Sequence, residues 1–202
     1  AVHRVQSLEQ VTALLRSARA FEFRSTNIDL IYGLPMQTAA SFARTVAQVC
    51  AWRPDRIALY AYAHLPERFK PQRRIDAALL PAAAQKIAML SQAIDGFMAA
   101  GYEYIGMDHF ALPQDELARA QRDGSLHRNF MGYTTHAQTD LVGFGVSAIS
   151  HVGDSYSQSH RDLPSWEASI DVGRLPIWRG LALERDDVLR ADVIQALMCQ
   201  GE

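Results

Sequence analysis

Residues 25–35, STNIDLIYGLP, read as a strand with a carboxylate set in its middle. Ile28, Leu30, Ile31 and Leu34 read as core, and Gly33-Leu34-Pro35 breaks the run. Asp29 stands among them, where a charged side chain is costly to bury unless it is paired or hydrated. Two readings follow. Asp29 is a core carboxylate satisfied by backbone amides or an arginine, or it is a ligand acceptor for a hydroxyl or an ammonium group. The residues alone leave both open.

The flanking segments place that strand in an α/β chain. Upstream, Ser7-Leu8-Glu9-Gln10 matches a capping box, followed at helical spacing by Val11, Leu14, Leu15 and Ala18. Downstream, Thr38 caps a helix with Phe42, Val46 and Val49 on one face, ending before Pro54. DRIALYAYAHL then reads as a second strand. Pro81 opens a long helix with Ile87, Leu90, Ile94 and Phe97 inward, stopped by Gly101. YEYIGMDHFAL reads as a third strand, and PQDELARAQRDG as a short helix closed by Gly124. Such alternation predicts parallel βα units, whose ligands sit at the carboxyl ends of the strands. Asp29, Tyr32 and Gly33, then Ala63 and His64, then Asp108 and His109 fall near those ends. Beyond residue 125 the glycine- and serine-rich stretch GYTTHAQTDLVGFGVSAISHVGDSYSQ predicts ligand-cradling loops or an irregular extension. Residues 165–202 read as helical around one strand-like IWRGLAL.

Composition narrows the classes. The 202 residues are 49% hydrophobic and 21% charged with a formal net charge of −2, a soluble globular profile long enough for one sizeable core. No stretch approaches a membrane span, and the near-neutral charge gives no reason to expect nucleic acid or an anionic membrane as partner. Two cysteines, Cys50 and Cys199, make neither a disulfide framework nor a metal clip, and we expect a cytoplasmic protein. The chain starts at Ala1 without an initiator Met and stops at DVIQALMCQGE, where an amphipathic helix is still running, so we expect a piece of a longer protein.

Familiar site motifs are missing. None of the seven histidines lies at HxH, HxxxH or HExxH spacing, and there is no nucleophile elbow, P-loop or GxGxxG. Gly143 and Gly145 in GFGVSAIS are a weak dinucleotide signal. PERFKPQRRI gathers Arg68, Lys70, Arg73 and Arg74 just after a strand end. That run is either a solvated loop or a carboxylate-binding cluster, since guanidinium forks match carboxylate geometry.

Together, STNIDLIYGLP, YAHLPERFKPQRRI, GYEYIGMDHFALPQDELARAQRDGSLHRNF, GYTT and DLVGFGVSAIS resemble the oxygen-independent coproporphyrinogen III oxidases, radical S-adenosylmethionine enzymes of haem biosynthesis. The likeness runs from about Arg4 to Cys199, with GMDHFA and HRNF its most specific parts.

The resemblance implies the second half of a partial TIM-like barrel with parallel strands (residues 1–125), then a loop-rich extension beginning a mainly helical C-terminal domain (residues 126–202). It implies two S-adenosylmethionine molecules and a [4Fe-4S] cluster bound by cysteines upstream of this chain, which alone is then expected to be inactive. Arg4, Asp29 and Ala63 match positions at the second S-adenosylmethionine, and Ile149 one that packs on the cluster-bound molecule. No catalytic residue and no metal ligand falls here. Met131 stands where the family usually has Gln.

The implied reaction is radical-driven oxidative decarboxylation of two propionates of coproporphyrinogen III, giving protoporphyrinogen IX in a monomeric enzyme served by an electron donor and an acceptor. Arg68, Arg73 or Arg74 is expected to hold the other propionates. The competing readings are a related haem chaperone, which lacks GMDHFA and HRNFxGYTT, and a scaffold domain without activity.

Overall fold

The computed structural model describes residues 5–137 and 139–201. Arg4 lies outside them. The chain divides into two compact units, Ala1–Gly124 and Ser125–Glu202.

Capping chemistry sets where the helices of the first unit begin. In α1 (Leu8–Ala20) the Ser7 hydroxyl accepts from Gln10 N while the Gln10 side chain accepts from Ser7 N. Thr38 and Ser41 make the same reciprocal pair at the start of α2 (Ala39–Trp52), which ends on Arg53 in the left-handed conformation. The long third helix, α3 (Ala83–Ala99), starts two residues after Pro81, and Gly101 follows it with a φ of +86°. Asp115 caps α4 (Glu116–Asp123), which Gly124 terminates at a φ of +77°.

Four strands form the first unit's sheet: β1 (Asn27–Tyr32), β2 (Arg56–Ala61), β3 (Glu103–Gly106) and β4 (His109–Ala111), in the order β1-β2-β4-β3. Strands β1 and β2 pair in parallel, as expected of a βα unit. The expected third strand is instead two. YEYIGMDHFAL folds back at Gly106-Met107-Asp108 into the antiparallel β3-β4 hairpin, and β4 runs antiparallel to β2. The turn needs Gly106 at a φ of +144° and Met107 at +49°, conformations that no continuous strand contains.

Alternation along β1 assigns its two faces. Ile28, Leu30 and Tyr32 pack with Ile57, Leu59 and Phe110 against α2 and α3, where Phe42, Val46, Val49, Met89, Ala93 and Phe97 complete the core. Phe97 is its centre, 5.0 Å from the Phe110 ring and 6.1 Å from Tyr102. Gly96 permits the close approach of the two helices, because an added Cβ would stand 3.0 Å from a Val46 methyl. Ile31 does not join this core; it shares the opposite, exposed face with Asp29. Ile87 on α3 and Leu14 on α1, also expected inward, are 68% and 70% exposed. The rest of each expected stripe faces inward, Leu15 and Phe97 buried and Leu90 and Ile94 packed against the core, while Met89 and Ala93 join them on α3.

The second unit is less helical than expected. Hairpin β5 (His127–Asn129) and β6 (Gly132–Thr134) is followed by the antiparallel sheet β7 (Ile149–Val152), β8 (Ser155–Ser159) and β9 (Ile177–Ala182). Among its described residues, α5 (Leu163–Asp171) and α6 (Arg185–Cys199) are the helices. The segment SHVGDSYSQ, read as loop, is a hairpin turning at Gly153-Asp154, with Gly153 at a φ of +51°. Its polar side chains hid the strand pattern. In α6, Gln195 brackets the Arg128 backbone, accepting from its N–H at 3.0 Å and donating to its carbonyl. Tyr133 donates to the Met198 carbonyl at 2.8 Å.

Candidate functional site

The face of the four-stranded sheet turned away from α2 and α3 carries the polar residues. Register places Asp29 beside Ala58 on β2 and Ala58 beside His109 on β4, so the three share one row. The next row sets Ile31 beside Tyr60. In the row before, Asn27 adjoins Arg56 and Arg56 adjoins Ala111. The middle residue of the first row is an alanine, buried and with only a methyl group. Asp29 and His109 thus flank a shallow floor, two strand spacings or roughly 9–10 Å apart at the backbone.

Asp29 is exposed and accepts a hydrogen bond from Asn27 Nδ2 at 2.7 Å. The core-carboxylate reading is corrected here, and the reason is the period of two: Asp29 alternates out of the core that Ile28 and Leu30 enter. On the other side of Ala58, His109 Nδ1 lies 2.6 Å from an Asp108 carboxylate oxygen. The His109 ring stands edge-on to Tyr60 at 6.2 Å.

Both loops at this edge are tied by glutamines. After β1, Gln37 accepts from the N–H groups of Gly33 and Leu34 and donates to the Ile31 carbonyl. After β2, Gln72 donates to the Ala63 carbonyl at 3.1 Å and accepts from Leu65 N. Ala63 is exposed on that anchored segment, and Tyr62 and His64 bond through Oη and Nδ1 at 3.3 Å. Arg68, Arg73 and Arg74 are exposed on the same loop, the last two in a 3₁₀ turn over Lys70–Arg74. Arg73 Nε donates to the Pro66 carbonyl, which closes the loop.

At the opposite end of the face, Arg56 binds Asp115 at 2.9 Å and Glu116 at 2.8 Å. Burial works against the Arg56 charge, but the hydrogen bonds and charges of Asp115 and Glu116 outweigh it and raise its pKa. Burial, and then the Asp108 charge, also raise the pKa of Tyr104. Its hydroxyl donates to the Met107 carbonyl at 2.5 Å and braces the β3-β4 turn.

Ile149 belongs to the second unit. It lines an open cavity of about 350 Å³ with Tyr156, Gln158, Arg179 and Leu181, and Arg179 Nε donates to Gln158 at 3.0 Å. His127 in the same unit has its pKa lowered by burial and then by His151. Met131 is 77% exposed. Among the described residues no three His, Cys, Asp or Glu gather to hold a metal. Cys50 and Cys199 are free thiols in different units, each with its pKa raised chiefly by burial. An iron–sulfur cluster takes several thiolates at one place, so these residues do not fit one.

The structure therefore brings Asp29, Ala63 and the three arginines to one unit, with Asp108 and His109. Sequence reading missed Asn27, Tyr60, Gln37 and Gln72. Tyr60 was recoverable once Asp29 was paired with Ala58, two residues earlier on β2. The glutamines were not, because side-chain contacts closing a loop follow no sequence period.

No protein-family model matches the chain. It is 56% identical over 202 residues to the oxygen-independent coproporphyrinogen III oxidase of Pseudomonas aeruginosa, covering all of this chain and 44% of that protein. To the enzyme of the same name from Helicobacter pylori it is 44% identical over 198 residues, 98% of this chain and 43% of the relative. The coproporphyrinogen III oxidase from Escherichia coli, described as a radical SAM enzyme, superposes with a TM-score of 0.96 at 52% identity over 98% of this chain and 46% of that one. The chain spans less than half the length of these relatives.

Proposed function

As a relative of the oxygen-independent coproporphyrinogen III oxidases, this chain is, we propose, part of an enzyme that oxidatively decarboxylates coproporphyrinogen III to protoporphyrinogen IX. The observation that carries the reading is 56% identity sustained over every residue of the chain. Residues 1–125 are read as part of a radical S-adenosylmethionine barrel and residues 126–202 as an extension leading into a further domain.

S-adenosylmethionine, when bound, supplies the radical that abstracts hydrogen from a propionate side chain. The chain's own residues bind and position. Arg4 and Asp29, with the anchored Ala63 backbone, are assigned to a second S-adenosylmethionine, Asp29 taking its ammonium or ribose hydroxyls. The exposure of Asp29 supports that role, since a carboxylate spent on the core would not face outward. Ile149 supplies an apolar surface in its cavity for the first molecule. Arg68, Arg73 and Arg74 are assigned to substrate propionates, and their exposure on the loop after β2 supports that too. The cluster is assigned to cysteines outside this chain, as Cys50 and Cys199 do not fit it.

The test is an anaerobic assay of the full-length protein with S-adenosylmethionine, a reductant and coproporphyrinogen III, its products separated by chromatography. Protoporphyrin after oxidation of the product is expected. Retention of added haem without any decarboxylation would point instead to the chaperone.

A further inference from the structure

The β7-β8-β9 sheet enters that reading only through Ile149, yet its face carries more than an apolar contact. Register puts Ile149, Gln158 and Arg179 in one row across the three strands, and His151, Tyr156 and Leu181 in the next row of the same face. Ile149 and Arg179 stand two strand spacings, roughly 9–10 Å, apart at the backbone. Both line the cavity.

Arg179 is held in place. Its Nε donates to Gln158 Oε1 at 3.0 Å, and Gln158 is itself tied by donating Nε2 to the Ser147 carbonyl at 3.2 Å. The Arg179 guanidinium carbon lies 4.8 Å from the centre of the Trp178 ring, which Arg161 also approaches, at 4.6 Å. Among the described residues the Arg179 Nη groups have no hydrogen-bond partner, and neither arginine has a carboxylate partner. No acidic residue is among those lining the cavity. Two guanidinium groups at one indole, without a counter-charge, concentrate positive charge beside it. A planar fork fixed through Nε and its ring contact, with the Nη edge open, is preorganised for bidentate binding of a carboxylate.

We propose that Arg179 binds a ligand carboxylate through its Nη groups in the cavity it shares with Ile149, with Trp178 and Gln158 as its positioning residues. The inference rests on the functional reading above, in which both small molecules bear carboxylates: the propionates of the porphyrinogen and the methionine end of S-adenosylmethionine. Ile149 and Leu181 give the cavity its apolar wall. Arg179 adds the one charged donor among the residues that line it, the combination of apolar surface and few placed polar groups that small-molecule sites share.

The test uses full-length protein and anaerobic titration calorimetry with four probes: coproporphyrinogen III, its tetramethyl ester, S-adenosylmethionine, and decarboxylated S-adenosylmethionine. In Arg179→Gln, affinity for one carboxylate-bearing probe is expected to fall about 10- to 100-fold, the range for hydrogen bonds between charged groups. Affinity for the matching probe without the carboxylate is expected to stay as in the wild type. Loss confined to the porphyrinogen pair assigns a propionate, and loss confined to the cofactor pair assigns the methionine carboxylate. Arg179→Lys, which keeps the charge without the fork, is expected to lose less than Arg179→Gln on the same probe. Trp178→Leu is expected to show the same probe dependence with a smaller loss, which a general loosening of the sheet would not produce. Equal losses for a carboxylate-bearing probe and its counterpart, or unchanged affinity for both carboxylate-bearing probes in Arg179→Gln, overturn the proposal and leave the functional reading standing. Wild-type protein that binds neither coproporphyrinogen III nor S-adenosylmethionine overturns the functional reading, and this inference falls with it.

Discussion

Asp29 contributes little to the core, because its side chain leaves β1 on the exposed face and its one described partner there is Asn27. Asp29→Ala is therefore expected to change stability in urea by less than about 0.5 kcal/mol, as for other exposed positions. On the proposed assignment of Asp29 to a second S-adenosylmethionine, the same variant of the full-length protein is expected to lose about tenfold in affinity for that molecule, read by calorimetry. A stability loss of several times that size would return Asp29 to a structural role. Gly33, four residues on, behaves in the opposite way. It sits at a φ of +80°, and a Cβ there would meet Lys86 Cε at 3.0 Å. Gly33→Ala is expected to cost about 1–2 kcal/mol, visible as a lower urea midpoint.

At the level of the elements, α4 is tied to β3 by Arg122–Glu103 and by Gln121 Nε2 on the Tyr104 and Ile105 carbonyls, and to β2 by the Arg56–Asp115 ion pair. The Asp115 carboxylate caps the helix through Leu117 N at 2.8 Å, receives Arg56 Nε and accepts from the Ser25 hydroxyl. Its side chain is 5% exposed, so removing it leaves the partly buried Arg56 with Glu116 as its remaining carboxylate partner and uncaps the helix at once. Asp115→Ala is expected to destabilise by about 2–3 kcal/mol. Thr38→Ala, which removes a solvent-facing cap from α2, is expected to cost only about 1 kcal/mol. Paired urea titrations check the contrast, and equal losses would mean that Arg56 finds other acceptors. Helix limits of this kind were legible beforehand, since Ser7, Thr38, Pro81 and Gly124 act on neighbouring backbone. The β3-β4 hairpin was not legible. Its turn residues, Gly106-Met107-Asp108, include a methionine at positive φ that is stabilised by Tyr104 and β2 rather than by local preference.

For the molecule as a whole, Tyr102 links core packing to pH. It is 3% exposed, donates to the Pro54 carbonyl at 2.7 Å, and burial pushes its pKa up from 10.0 to about 12. The folded protein thus holds this proton more tightly than the unfolded chain. The contribution is intact below about pH 10 and is lost as pH climbs towards 12. Tyr102→Phe is expected to flatten that part of the stability–pH curve, measured by denaturant titration at stepped pH. A second expectation concerns surface. Val188, Leu189, Val193, Ile194 and Leu197 of α6 are each 40% exposed or more, Phe144 91%, and every residue of β9 is exposed. Apolar area on that scale predicts that this chain, prepared alone, self-associates at micromolar concentration, which light scattering would detect.

What the sequence by itself determined is what acts over a few residues or one period: the helix caps, the α/β alternation through residue 124, the apolar face of α2, and a family likeness strong enough to name a chemistry. Which face Asp29 occupies, whether GMDHFA is a strand or a turn, and that His109 shares a row with Asp29 were decided only by tertiary structure. The physical reason is register. A strand's alternation shows that two faces exist, but only its pairing with β2 and packing on α2 and α3 decide which of them is core. The partner of Asp29 across that face lies eighty residues away, on a strand that the linear pattern merges with its neighbour.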